Sequence, residues 1–221
     1  MPTSQASVPD DLPNLMTAWV HGWATSRATP APTAVPGGWR IHVGLPGHRI
    51  RYVLTGADLA GLADAPHSPG TWIKAVTPAG RLRAALPAGW VPAETLHVMS
   101  TRFGAGAGRV PEPYIGEIRT DGRVVEARVR DADGATAASA FLAPAGSIAV
   151  IDRVETAPAH RRRGLGSTVM GMLAEHAVRH GMPHGVLVAT DDGRALYQRL
   201  GWSVVTALEA AHLPEPAATT A

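Results

Sequence analysis

Apolar positions recur at two periods along this chain, and each change of period marks a new element. Leu12, Leu15, Met16, Trp19, Val20 and Trp23 share one face of a helix that starts at Asp11 or Pro13. Docking on the domain is the ordinary use for such a face; an interface with a partner or in a homodimer is the other. Residues 1–10 are polar and read as loose, and residues 28–38, rich in Pro, Gly and Thr, read as a linker. Residues 39–44 and 48–55 read as a hairpin across Pro46-Gly47. A short helix over 57–63, a strand over 71–77, a short helix over 80–86 and a strand over 94–103 follow. Residues 104–108 make a flexible break.

The second half is patterned more strongly. Strands are predicted over 123–131, 135–143 and 147–156, punctuated by Asp121-Gly122, Asp133-Gly134 and Pro144-Ala145-Gly146. From Leu165 the period becomes helical, with Leu165, Val169, Met172, Leu173 and Ala177 on one face. That helix starts near Arg163 or Gly164 and ends near His180, where Gly181 and Pro183 stop it. A strand over 186–190, a helix over 193–200 and a closing strand over 202–208 complete the pattern. The polar stretch 209–221 reads as a disordered tail. Antiparallel strands followed by strand–helix–strand–helix–strand predict an α/β fold, with helices on both faces of a mixed sheet. The division expected is a helix and linker over 1–36, an α/β region over 37–108, a domain over 109–208 and the tail.

Composition narrows the function. Hydrophobic residues make up 45% of the chain, enough for a buried core, and the net charge of +2 argues against a nucleic-acid binder. Lys74 is the only lysine. With no cysteine there is no disulfide, no thiolate metal ligand and no cysteine-bound acyl intermediate. His176 and His180 stand four apart on a helix with no third ligand near in sequence, so no metal is expected. No apolar run reaches membrane-spanning length and the N-terminus lacks a signal pattern, so a cytoplasmic protein with no membrane partner is expected.

The chemistry concentrates where the 147–156 strand meets the long helix. Arg161-Arg162-Arg163-Gly164-Leu165-Gly166-Ser167 places glycines at a helix start, whose first turn has free N–H groups. The helix dipole favours an anion there by about 0.3–1 kcal/mol. Glycine lets a phosphate approach the backbone, and each well-placed arginine adds about 1.5–3 kcal/mol. The turn reads as a pyrophosphate site.

Arg161-x-x-Gly164-x-Gly166, after a strand and Pro158 and before an amphipathic helix, resembles the coenzyme A motif of the GNAT superfamily of acyl-CoA N-acyltransferases. The run Ala195-Leu196-Tyr197-Gln198-Arg199-Leu200-Gly201-Trp202 resembles that family's later helix-to-strand motif, usually ending Tyr-x-x-x-Gly-Phe. The resemblance covers roughly Tyr114 to Leu208. It implies a GNAT-like, largely antiparallel mixed sheet flanked by helices, with an N-terminal extension, and acetyl-CoA as cosubstrate. Its order departs over 37–108, where the family has a strand and two helices that usually wall the acceptor pocket. The acceptor therefore stays unnamed.

Carried onto this sequence, the resemblance puts Tyr197 beside the CoA sulfur as the acid, and Asp152 where some members present a base, with Glu155 as the alternative. Val154 and Thr156 contribute backbone groups to the acyl carbonyl and pantetheine; the family often has an apolar residue where Thr156 stands. Asp191-Asp192 stand where the family often has asparagine, so no contact is carried over. Strand alternation places Asp152, Val154 and Thr156 on one side and Arg153 and Glu155 on the other. Asp152 has a competing role in an ion pair with Arg153 or another arginine, and Tyr197 one as a core residue between Leu196 and Leu200. The acceptor amine, with a pKa of about 10.4, costs roughly 4–5 kcal/mol to deprotonate at pH 7. Two functions stay open: direct N-acetyl transfer to a primary amine of a small molecule or protein, or a non-catalytic acyl-CoA-binding or regulatory module.

Overall fold

In a computed structural model, which describes residues 11–56, 59, 61, 66–104 and 109–216, one mixed sheet organises the chain. Its strands are β1 (Thr33–Val35), β2 (Gly38–Leu45), β3 (His48–Leu54), β4 (Thr71–Ala75), β5 (Val91–Arg102), β6 (Ile115–Asp121), β7 (Val124–Arg130), β8 (Thr136–Ala145), β9 (Ile148–Thr156), β10 (His184–Ala189) and β11 (Ser203–His212). The helices are α1 (Leu12–Ser26), α2 (Arg81–Ala85), α3 (Leu165–Arg179) and α4 (Asp191–Arg199). The spatial order is β1-β2-β3-β4-β11-β5-β10-β9-β8-β7-β6, antiparallel except at β3–β4 and β9–β10. No described helix is long and apolar enough to cross a membrane.

Period-2 patterning fixes the faces. On β7, Val125, Ala127 and Val129 are buried while the residues between them are half-buried. They join Leu165, Val169 and Leu173 of α3 in one core. A second core lies on the other face, where α1 presents Leu15, Met16, Trp19, Val20 and Trp23. Its partners come from β2 and β3 (Ile41, Val53) as well as β9 and β10 (Ile148, Val150, Val186), so the sheet curls around α1. The apolar face of α1 is thus consumed within the chain.

Three expectations change. The linker over 28–38 contains β1, a three-residue edge strand whose exposed Thr33 and Ala34 give no alternation to read. β6 was not foreseen, because this edge strand has no buried residue, and Ile115 is 67% exposed. The tail from Glu209 is strand as far as His212: Glu209, Ala210, Ala211 and His212 pair with Ala75, Lys74, Ile73 and Trp72 of β4. The Glu209 carboxylate also accepts the N–H groups of Gly80 and Leu82 at the start of α2. The helix expected over 57–63, apart from Leu59 and Gly61, lies outside the described residues, as do residues 1–10, 105–108 and 217–221.

Candidate active site

The sheet opens at one place. β9 and β10 run parallel only through Ile148–His184, Ala149–Gly185 and Val150–Val186. Beyond Val150, β9 remains paired to β8 and β10 to β5. The facing edges therefore have no strand partner. Between them lies a cleft of about 980 Å³, walled by Ile151–Pro158 and Leu187–Thr190 and lined by Leu196 and Tyr197 of α4.

A bulge sits on the β9 wall. Ser139 pairs with Glu155 but Phe141 pairs with Asp152, so Arg153 and Val154 together face Ala140, and Arg153 takes φ 50°. The strict alternation expected for Asp152, Val154 and Thr156 is thereby broken. Asp152 and Arg153 both reach the C-terminal end of α1. Arg27 donates to the Asp152 carboxylate from Nε at 2.6 Å and from Nη2 at 3.0 Å, and Ser26 Oγ donates at 3.1 Å. Arg153 donates to the Ser26 carbonyl at 2.7 Å and stacks on the Phe141 ring at 3.7 Å. The arginine paired to Asp152 is thus Arg27, 125 residues away in sequence. Glu155 is exposed on the cleft wall, and Val154 packs on the α3-side core.

Next to the cleft is a cavity of about 410 Å³ at the start of α3. It shares Thr156, Arg161 and Leu196 with the cleft, and adds Arg162, Gly164, Gly166, Ser167 and Arg199. Gly164 takes φ 80° as the helix cap, a conformation that costs little only for glycine. Leu165 is buried and pins the first turn. A Cβ on Gly166 would lie 3.2 Å from Leu196 Cδ2, so glycine keeps the passage to the cleft wide. Arg163 turns elsewhere, donating to the Tyr114 hydroxyl at 3.0 Å, which in turn meets His160 Nδ1 at 3.0 Å. Arg199 was missed by sequence reasoning, because a basic residue in the last turn of α4 already has a role at the dipole.

Tyr197 is 9% exposed and lines the cleft. Burial, and then the negative charge of Asp152, push its phenol up to about 12. Its helix is capped by Thr190, whose hydroxyl accepts the Gly193 N–H at 3.2 Å, and Asp191 is held by His97 at 2.8 Å. Among the described residues no group of three His, Cys, Asp or Glu side chains is placed to hold a metal.

Residues 94–202 match the sequence profile of the Acetyltransferase (GNAT) family. No curated protein matches the chain. A GCN5-related N-acetyltransferase from Kribbella flavida shares the fold with a TM-score of 0.64 at 16% identity, over 91% of this chain and 95% of that one. A putative GNAT acetyltransferase from Novosphingobium aromaticivorans does so with a TM-score of 0.57 at 19% identity, over 91% and 96%. A GCN5-related N-acetyltransferase from Sphaerobacter thermophilus gives 0.57 at 13% identity, over 81% and 78%. The glycine turn and Tyr197 both fall inside the matched segment, and residues 94–202 form a GNAT-family acetyltransferase domain within the chain.

Proposed function

We propose that this protein transfers an acetyl group from acetyl-CoA directly to a primary amine. One observation carries the reading: the opening between β9 and β10 joins the glycine cradle at one end to Tyr197 along its wall. A pyrophosphate in the cradle would meet the free N–H groups of α3 together with Arg161, Arg162 and Arg199. The unpaired β9 edge around Val154 and Thr156 would then orient the thioester in the cleft.

In the transfer, the amine nitrogen bonds to the acetyl carbonyl carbon, the carbon–sulfur bond breaks, and the electron pair leaves on sulfur. Tyr197 faces that sulfur as the donor. With its phenol near 12, complete transfer to a thiolate of ordinary pKa, about 8.5, would be uphill by about 5 kcal/mol. Its first contribution is therefore a hydrogen bond that strengthens as charge develops on sulfur; burial of the thiolate raises its basicity and narrows the gap. The ammonium proton leaves through water. Asp152 already accepts three hydrogen bonds and has one acceptor position left for such a water, while Glu155 is the freer carboxylate.

Free-thiol release from acetyl-CoA over a panel of primary amines tests the reading. Tyr197→Phe should lower kcat about a hundredfold on any accepted amine, with CoA affinity and Tm maintained. Equal rates would remove Tyr197 from the chemistry. CoA binding without turnover on any amine would favour the non-catalytic module.

A further inference from the structure

The curl of the sheet around α1 brings a second set of charges to the Trp23–Arg27 corner that holds Asp152. Arg51 of β3 and Lys74 of β4 are 8% and 9% exposed. Arg51 lies with its guanidinium 3.9 Å from the Trp23 ring centre, and its Nε donates to His48 Nε2 at 3.2 Å. Lys74 sits between Val53 and Ala210 in register and has no hydrogen bond or ion pair among the described residues. Both feel the charges of Arg27 and Asp152, and Lys74 also feels Glu94.

Among the described residues, neither cation has an acid of its own. Asp152 is taken by Arg27 and Ser26, and Glu94 by the Asp191 N–H at 3.2 Å. His48 adds no counter-charge: burial and the neighbouring cations hold it down to about 3, so it is a neutral acceptor for Arg51. Burial, then Arg51 and Arg27, push Lys74 down to about 7, the response of an ammonium that lacks an anion. Taking cations out of water without partners is among the largest penalties a fold can carry. Two such side chains, joined through Trp23 and Arg27 to Asp152 on the cleft wall, form a cradle for a negative charge that no described residue supplies. The phosphates of CoA are served elsewhere, by the arginines around Gly164.

We propose that Arg51 and Lys74 form an anion subsite at the acceptor end of the cleft, and that the amine accepted by this protein carries a carboxylate. The inference rests on the acetyl-transfer reading for the identity of the ligand, but not for the existence of the subsite. An arginine edge beside a lysine suits a planar carboxylate, which can take donors from both. With one end of an amino-carboxylate fixed there, its amine is left to face Asp152 and the cleft.

Calorimetry at saturating CoA tests this, using N-acetylated amino acids and their amides as product-like probes. The acids should bind at least about tenfold more tightly than the amides, and Lys74→Met and Arg51→Met should each lose at least about tenfold for the acids. The Tm of Lys74→Met should rise by about 2–4 °C as a buried charge is removed, showing that the variant folds. Acids and amides binding alike, or both variants binding acids like the parent, would overturn the subsite. A loss confined to CoA affinity would overturn it too, assigning the anion to the donor. Acid binding without acetyl transfer to any amine would leave the subsite standing and remove the transferase reading. Transfer to neutral amines as fast as to their carboxylated counterparts would do the reverse.

Discussion

The two glycines of the cradle are there for different reasons, and substitution separates them. Gly164 has φ 80° with no atom within 4 Å of a would-be Cβ, so it answers to backbone conformation alone. Gly166 has an ordinary φ and a neighbour at 3.2 Å. Gly164→Ala should therefore lose about 1–2 kcal/mol of stability to the left-handed conformation. Gly166→Ala gains helix propensity instead, but narrows the passage at Leu196, and should weaken CoA binding about tenfold. Thermal melts and calorimetry on both variants check the ranking; the opposite order would mean that Gly164 is the position of close approach. Lys74 gives a pH signature at the same scale. Its native pKa of about 7 lies below the unfolded value of 10.5, so between those limits the unfolded chain holds a proton that the native chain does not. Stability therefore rises with pH across that window and is lost as pH falls toward 7. Urea denaturation should show the stability of the parent relative to Lys74→Met improving by up to about 5 kcal/mol from pH 7 to 10.5. A flat difference would show that Lys74 stays charged in the fold.

At the scale of elements, α1 lies so close to β9 that its glycine cannot be exchanged. A Cβ on Gly22 would stand 2.3 Å from Val150 Cγ2 and 2.4 Å from Val150 Cβ. Alanine there would gain about 1 kcal/mol in helix propensity. Val150 is fully buried and β-branched, however, and can neither rotate away nor retreat. Gly22→Ala should destabilise the protein by about 1–3 kcal/mol in equilibrium unfolding, the usual result of overpacking. A stabilised variant would show that the helix can lift from the sheet. The elements themselves were largely legible in the sequence. α1, α3 and β7 bury one face each, and burial writes a period into the residues. What escaped has no period to write: β6 buries nothing, and the bulge at Arg153 is a backbone event inside an otherwise regular strand. The cradle was readable because its glycines and arginines are adjacent in sequence. The Arg27–Asp152 pair and the Arg51–Lys74 cluster were not, because only the curl of the sheet brings those residues together.

The whole molecule depends on that curl, and β11 is what closes it. β11 stands between β4 and β5 in the sheet, and so joins the first four strands to the strands that carry the cleft. Its pairing is divided along its length. Residues Ser203–Leu208 pair with β5 only, whereas all four partners of β4 lie at Glu209–His212. The same segment buries Ala210 and Ala211, and its Glu209 caps α2. Leu213 adds a hydrogen bond to the Thr71 carbonyl at 2.8 Å, and Glu215 pairs with Arg49 at 2.6 Å. A chain ending at Leu208 would retain every residue of the glycine cradle and Tyr197. It would expose the β4 edge and leave Lys74 without the strand that covers it. Such an edge is a template for aggregation, and loss of the pairing should split one unfolding transition into two, or make it irreversible. A chain ending at Pro216 keeps every pairing named here and is the control. The comparison is thermal unfolding of the two truncated chains, each with and without CoA. If the shorter chain melted in one reversible transition at the temperature of the longer, residues 209–216 would not be holding the halves together, and the Arg51–Lys74 cluster would have to be held in place by α1 alone.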